Sequence, residues 1–223
     1  MPQFTLRDIR LQIPAEALHG GLEKALASGR YEGQEADALL RHLVPEDRFL
    51  DLGAGLGFLC CLAARIVGAA QVTGVEAGPQ TARLARANLD RNGFAEARLV
   101  HAAVTAGTAG EVEFGQRPSF WASALKGAAD WPKNAQILRV PARPLADLMD
   151  EAQPTVLSCD IEGAEAEVLA CPLPPGLRRI VVELHPAVYG LKGTRAIFDA
   201  LSAQGFAFTP DGSRGATVVF ARI

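Results

Sequence analysis

The sequence has 223 residues, 49% of them hydrophobic, and its 22 Lys and Arg against 25 Asp and Glu give a formal charge of −3. This length suits one domain with a sizeable core, and the mild acidity argues against a nucleic-acid-binding protein, which usually carries a basic patch. We expect a cytoplasmic protein without a membrane partner, because no apolar run is long enough to cross a bilayer and no signal-peptide pattern follows Met1.

The first 45 residues are predicted to form a small, mostly helical cap. Polar and apolar residues alternate over residues 4–14, which indicates a short strand or hairpin. Apolar residues then recur at helical spacing in two runs, first at Leu18, Leu22, Ala25 and Leu26, then at Ala36, Leu39, Leu40 and Leu43. We therefore divide the chain into an N-terminal cap segment, residues 1–45, and a main domain, residues 46–223.

The main domain is predicted to be an α/β fold. Strand-like runs alternate with helical ones, the strands at 49–52, 72–75, 98–104, 156–160 and 179–185 and the helices through Leu62 and Ile66 and at 79–92, 145–149, 165–169 and 194–204. Such alternation predicts a doubly wound, mostly parallel sheet, here of seven strands, with helices on both faces.

Two further segments complete the predicted fold. The final strands, at 206–209 and 217–223, flank a turn signal at residues 210–212 and predict an antiparallel hairpin. Residues 105–138 show no clean period and contain Trp121 and Trp131, so they are predicted to form a long irregular loop of the kind that often contacts substrate.

A glycine-rich loop follows the first strand of the main domain. Gly53, Gly55 and Gly57 let the backbone turn tightly against a bound nucleoside, and a dinucleotide site would instead place its last glycine at Phe58. This spacing favours S-adenosylmethionine over NAD. Glu76 ends the next strand, 19 residues after Gly57, where an acidic residue binds ribose hydroxyls in doubly wound folds. The alternative is that the glycines only permit close helix packing and Glu76 is solvated.

Acidic residues and a histidine cluster at the ends of two later strands. Asp160, Glu162, Glu183 and His185 supply three carboxylates and an imidazole, which suit either of two chemistries. His185 could be a general base oriented by Glu183, or the carboxylates could hold Mg²⁺ or Mn²⁺. Glu165, in the first turn of the following helix, is either solvated or a partner of the helix dipole.

Together these segments resemble the FkbM family of class I, Rossmann-like S-adenosylmethionine-dependent methyltransferases. The elements that carry the resemblance are residues 29–32, the loop from Asp51 to Gly57, Glu76, residues 160–165 and residues 183–186. The D-x-E-G-x-E run at 160–165 is the most specific of them, and the resemblance spans residues 29–210. The chain departs from the family pattern at Ser158, where a lysine is expected.

The resemblance implies a cofactor, a reaction and a set of site residues. The cofactor is S-adenosylmethionine, and its binding residues are Tyr31, Glu32, Asp51, Gly53, Ala54, Gly55, Gly57, Glu76, Ala77, His101, Ala102 and Asp160. The catalytic residues are Asp160, Glu162, Glu183 and His185. The implied reaction is O-methylation of a small-molecule or glycan hydroxyl. The alternatives are a macromolecular methyltransferase acting on RNA or protein, and a non-catalytic protein of the same fold.

Overall fold

A seven-stranded sheet forms the centre of the protein, as seen in a computed structural model that describes residues 1–116, 124–125 and 136–223. Across all sheets of the described residues, the strands are β1 (Gln3–Leu6), β2 (Ile9–Gln12), β3 (Phe49–Leu52), β4 (Val72–Glu76), β5 (Arg98–His101), β6 (Ala103–Thr105), β7 (Gly110–Gln116), β8 (Ala124–Leu125), β9 (Gln136–Pro144), β10 (Val156–Cys159), β11 (Arg179–Glu183), β12 (Phe206–Arg214) and β13 (Thr217–Arg222). The helices are α1 (Gly20–Ala27), α2 (Gly33–His42), α3 (Phe58–Val67), α4 (Pro79–Arg91), α5 (Leu145–Ala152), α6 (Glu165–Val168) and α7 (Pro186–Ala203). Among these residues, no helix is both long and apolar enough to cross a membrane.

The order of the central sheet is β12-β13-β11-β10-β3-β4-β5, and its five strands from β11 to β5 are parallel. Strands β12 and β13 pair antiparallel with each other, and β13 pairs antiparallel with β11. Every residue of β3 and β10 is buried, as expected for strands covered by helices on both faces. The predicted doubly wound α/β fold with a C-terminal antiparallel hairpin is confirmed.

The N-terminal segment consists of the β1–β2 hairpin followed by α1 and α2. Helix α2 packs against α3 and against strands β11, β12 and β13 of the central sheet. Leu39 and Leu43 of this segment belong to the same buried cluster as Phe49 and Phe58 of the main domain. The cap and the sheet therefore share one core, and the division at residue 45 stays a prediction.

A second sheet occupies part of the segment that was expected to be an irregular loop. Strand β9 pairs antiparallel with β7 and parallel with β6, so the prediction of a structureless run over 105–138 is wrong for β7 and for the start of β9. The alternation of charged Glu111 and Glu113 with Val112 and Phe114 is a strand signal, and Phe114 is buried against Val140. Trp121 and Trp131 lie outside the described residues.

The C-terminal hairpin turns later than predicted. The turn signal at residues 210–212 lies inside β12, and the chain reverses at Gly215 and Ala216. The register between β12 and β13 shifts between Thr209 and Arg214. The turn-forming residues therefore lie in a bulge, and β12 pairs with β13 on both sides of it. The helix predicted at 194–204 likewise begins earlier, at Pro186, and is kinked at Gly190.

Candidate active site

A cavity of about 740 Å³ lies at the carboxyl edge of the parallel strands. Ligands of open α/β sheets bind at this edge, because the loops that follow the strands diverge there. The predicted site residues that line the cavity are Tyr31, Glu32, Gly53, Gly55, Glu76, Ala77, Ala102, Asp160, Glu162, Glu183 and His185. Residues predicted for the cofactor and residues predicted for catalysis therefore face one space.

The glycine loop after β3 is shaped by close backbone approaches. A Cβ added to Gly53 would lie 1.7 Å from the backbone oxygen of Asp160, and one added to Gly55 would lie 2.8 Å from the Tyr31 hydroxyl. Both glycines also have positive φ angles, 87° and 52°. By contrast, a Cβ added to Gly57 would lie 3.1 Å from the backbone oxygen of Ala85 in α4, so this glycine permits close packing against that helix. Side chains at Gly53 or Gly55 would collide with the walls of the cavity.

Glu76 reaches from the end of β4 into the loop. One carboxylate oxygen accepts the N–H of Gly55 at 3.0 Å and the other accepts the N–H of Gly78 at 2.7 Å. Burial raises the pKa of Glu76 to about 7, although the N–H groups of Gly78 and Gly55 act in the opposite direction. A carboxylate oxygen can accept more than one hydrogen bond and Glu76 lines the cavity, so the ribose contact stays a prediction.

Tyr31 and Glu32 close the cavity from the side of the N-terminal segment. Tyr31 is buried, and its hydroxyl accepts the N–H of Leu56 at 3.4 Å and hydrogen-bonds to Glu32. Glu32 precedes α2 with a left-handed backbone, φ 46°. Burial raises its pKa well above the usual range, and its Oε2 atom has no hydrogen-bond partner among the described residues. This oxygen is therefore a buried polar atom beside the cavity whose hydrogen-bonding capacity is unused among the described residues.

The remaining predicted cofactor-binding residues are not part of the described cavity lining; they are Asp51, Ala54, Gly57 and His101. Asp51 lies beneath the loop, where it accepts from the Cys60 thiol at 3.3 Å and from Ser158. Burial raises the pKa of Asp51 to about 6. Thus Ser158, the departure from the family pattern, forms a hydrogen bond with the Asp51 carboxylate. The exposed ring of His101 contacts the Ala77 carbonyl at 3.1 Å. Direct cofactor contacts of these residues stay predictions.

The acidic cluster forms at the ends of β10 and β11. His185 Nε2 lies 3.5 Å from Asp160 Oδ1 and 3.6 Å from Glu162 Oε2. Burial raises the pKa of Asp160 well above its usual range, and the charges of Glu183 and Glu162 add to the effect. Asp160 Oδ1 is buried and has no hydrogen-bond partner among the described residues. The four residues predicted as catalytic are therefore brought together.

Glu165, rather than Glu183, contacts the far side of the His185 ring. Its Oε1 atom lies 3.1 Å from His185 Nδ1, and its side chain is fully buried. Of the two alternatives for Glu165, the solvated one is therefore wrong. In the alternative with His185 as a base, the residue that contacts its ring is Glu165 and not Glu183. Burial alone would lower the pKa of His185, but the hydrogen bond and charge of Glu165 raise it.

Sequence reasoning missed part of the cavity wall, including Gln34, Glu35, Arg214 and Ala216. Glu35 is buried and accepts a hydrogen bond from the Thr217 hydroxyl. The carbonyl of Ala216 accepts the N–H of Leu184 at 3.0 Å, which ties the hairpin turn to the end of β11. No local pattern identifies this wall, because it joins segments far apart in the sequence.

The sheet order, the glycine loop and the acid that ends the second strand of the sheet together define a class I S-adenosylmethionine-dependent methyltransferase. The sequence profile described as the methyltransferase FkbM domain matches residues 51–208, so the chain belongs to the FkbM methyltransferase family. No curated protein matches it in sequence.

Several solved methyltransferase structures align with most of the chain. A ribosomal protein L11 methylase from Lactobacillus delbrueckii subsp. bulgaricus is 14% identical with a TM-score of 0.50, over 87% of this chain and 80% of that one. A precorrin-6y C5,15-methyltransferase from Geobacter metallireducens is 16% identical over 85% and 84%, TM-score 0.49. An O-methyltransferase from Bacillus cereus, in complex with SAH, is 14% identical over 85% and 79%, TM-score 0.45. The match with the L11 methylase is a likeness of fold alone.

Proposed function

We propose that the protein transfers the methyl group of S-adenosylmethionine to a hydroxyl oxygen of a small-molecule or glycan acceptor. The observation that carries this proposal is the position of His185. Its imidazole faces the same cavity as the glycine loop, beside Asp160 and Glu162. An alcohol must lose a proton as its oxygen is methylated, and a neutral histidine is well suited to accept that proton. Because Glu165 raises the pKa of His185, this role is favoured toward higher pH.

The residues around the glycine loop suit the cofactor. The approach of Asp160 to Gly53 and of Tyr31 to Gly55 leaves no room for a side chain at either glycine, so the loop presents only backbone there. Glu76 would accept hydrogen bonds from the ribose hydroxyls, while the unpartnered Glu32 oxygen would accept from the amino group of the methionine part. When bound, S-adenosylmethionine supplies an electrophilic methyl group on a positively charged sulfur. The carboxylates that line the cavity favour that positive charge.

The same carboxylates bear on the choice of acceptor. Glu35, Asp160, Glu162 and Glu183 all line the cavity, and they would repel a phosphate backbone. They are also good acceptors for hydrogen bonds from the hydroxyl groups of a sugar or polyol. Arg7, Arg30 and Arg214 also line the cavity, but acidic residues outnumber them. This balance of charge supports a hydroxylated small molecule or glycan over RNA.

A divalent cation would fit the same cluster. Asp160, Glu183 and His185 each offer one ligand atom, and these atoms lie within 4.8 Å of one another. Carboxylate oxygens are preferred ligands of Mg²⁺, and Mn²⁺ accepts the same set. Such an ion would polarise the acceptor oxygen and favour loss of its proton. We favour His185 as the proton acceptor. Treatment with a chelator distinguishes this mechanism from the metal-assisted one, because only the metal-assisted enzyme would lose activity.

The proposal is tested by screening for methyl transfer. The protein is incubated with S-adenosylmethionine carrying a labelled methyl group and, separately, with pools of polyhydroxylated metabolites, oligosaccharides, RNA and protein. We expect labelled methyl on an oxygen atom in one of the first two pools, located by mass spectrometry. Methyl on RNA or protein would overturn the acceptor class. Binding of S-adenosylhomocysteine with no transfer in any pool would favour the non-catalytic alternative.

A further inference from the structure

Glu165 and His185 form a partly buried hydrogen-bonded pair that joins α6 to the end of β11. The His185 Nδ1 atom lies 3.1 Å from Glu165 Oε1, within hydrogen-bond distance. The Glu165 side chain is completely buried, whereas the ring of His185 keeps 16% of its surface exposed toward the cavity. The ring therefore has one edge held inside the protein and one edge available to ligands.

The surroundings of Glu165 determine which atom of the pair carries the proton. Its Oε1 atom accepts the N–H of Ile161 at 3.0 Å, and its Oε2 atom accepts the N–H of Gly163 at 3.0 Å. Both carboxylate oxygens thus already act as acceptors, so the bond to His185 needs a proton on Nδ1. A neutral imidazole has only one N–H, and its Nε2 atom is then left with a lone pair.

Among the described residues, no acceptor lies at good hydrogen-bond distance from the Nε2 atom, which faces the cavity. Its separations of 3.5 Å from Asp160 Oδ1 and 3.6 Å from Glu162 Oε2 exceed the 2.7–3.2 Å of a good N–H···O bond. Free neutral histidine prefers the opposite tautomer, with its proton on Nε2. The pair with Glu165 therefore selects the less common tautomer and directs its lone pair into the acceptor side of the cavity.

We propose that Glu165 is a positioning residue that fixes the ring of His185 and its Nδ1–H tautomer, so that Nε2 accepts the proton of the acceptor hydroxyl. This inference rests on the proposed function. In the step, the O–H bond breaks and its proton bonds to Nε2, the oxygen forms a bond to the methyl carbon, and the C–S bond breaks with its electron pair on sulfur. The proton transfer neutralises the oxygen without a further reactant.

The tautomer can be measured without any acceptor. Nitrogen NMR of the protein labelled with ¹⁵N-histidine distinguishes Nδ1–H from Nε2–H at alkaline pH, and His185→Gln assigns the signal. We expect the Nδ1–H form in the parent protein and in Glu165→Gln, whose amide oxygen can still accept the bond. In Glu165→Leu, the Nε2–H form should predominate. Glu167→Gln is the matched control, because Glu167 lies in the same helix but is exposed.

Turnover provides the second readout. Glu165→Leu should lower kcat by about 100-fold, since proton transfer by a positioned base contributes at least this factor, with KM for the cofactor within about threefold. Glu165→Gln should recover most of kcat. A purely structural role would instead change the melting temperature and cofactor KM while leaving the tautomer unchanged.

These results separate the inference from the proposed function. An Nε2–H signal for His185 in the parent protein overturns the inference, whatever the acceptor proves to be. If the tautomer is as expected but His185→Gln keeps full turnover, the proposed role of His185 as base fails while its contact with Glu165 stands. Should Glu165→Leu fail to fold, the parent protein and Glu165→Gln still decide the tautomer.

Discussion

Replacing Glu76 by glutamine isolates the charge that we assign to the ribose contact. The substitution keeps the size of the side chain and removes its negative charge, so the change in cofactor affinity reports on charge-assisted hydrogen bonds. Such bonds contribute about 1.5–3 kcal/mol, and each 1.4 kcal/mol is tenfold in affinity. We therefore expect Glu76→Gln to weaken S-adenosylhomocysteine binding by about 10- to 100-fold at alkaline pH.

The pH dependence makes this prediction sharper. Because burial raises the pKa of Glu76 to about 7, the carboxylate of the free protein gains a proton as the pH falls through neutrality. If the ligand binds the ionised form, the affinity of the parent protein should fall by at most about tenfold per pH unit below 7. It should then level off near the affinity of Glu76→Gln, whose own affinity should change little over the same range.

Calorimetric titration with S-adenosylhomocysteine at a series of pH values measures both effects. Thermal unfolding accompanies it, because Glu76 also accepts the N–H groups of Gly55 and Gly78 and its replacement costs about 1 kcal/mol for each lost bond. Glu96→Gln is the control, since Glu96 is exposed outside the cavity. Equal affinity of Glu76→Gln and the parent protein at alkaline pH would show that Glu76 does not contact the ligand.

Three further predictions concern the loop, the fold and the metal. Gly53→Ala should abolish S-adenosylhomocysteine binding and lower the free energy of unfolding by about 2 kcal/mol or more, because its Cβ would lie 1.7 Å from a backbone oxygen. The control is Gly68→Ala, which should keep binding, because Gly68 has a similar φ of 85° but no atom within 4 Å of the added Cβ. Asp47→Asn should cost about 2 kcal/mol in urea unfolding at neutral pH, since Asp47 accepts two hydrogen bonds from Arg178. Burial alone would raise the pKa of Asp47, but the bonds from Arg178 lower it. The stability that Asp47 contributes should therefore be complete above about pH 4 and be lost as the pH falls through the lower native pKa. A stability difference between Asp47→Asn and the parent protein that is unchanged at acid pH would contradict this. Methyl transfer should survive chelator treatment, whereas loss that added Mg²⁺ or Mn²⁺ restores would assign the acidic cluster to a cation.

The central features of the site could be predicted because they depend on local sequence. The glycine spacing that opens a helix at Gly57 and the acid that ends the next strand at Glu76 each lie within a few residues of a strand end. In parallel sheets, strand ends converge on one edge. Asp160 and His185 were therefore expected to meet, and they lie 3.5 Å apart.

The remaining features depend on tertiary packing. Glu165 was correctly placed in the first turn of a helix, yet no local signal shows that this turn is buried under His185. Glu35 and Arg214 reach the cavity from α2 and from the hairpin turn, segments that are brought together only by the order of the sheet. The turn signal around Asp211 was overridden because pairing with β13 continues across a bulge.

The most direct test of the account compares turnover and cofactor affinity in the parent protein and in His185→Ala. Methyl transfer to the oxygen acceptor found in the screen is measured at saturating S-adenosylmethionine, together with the dissociation constant of S-adenosylhomocysteine. We predict that kcat falls by about 100-fold or more while the dissociation constant stays within about threefold, because His185 acts on the acceptor hydroxyl. Unchanged turnover, or a parallel loss of affinity and turnover, would contradict the assignment of His185 as the proton acceptor.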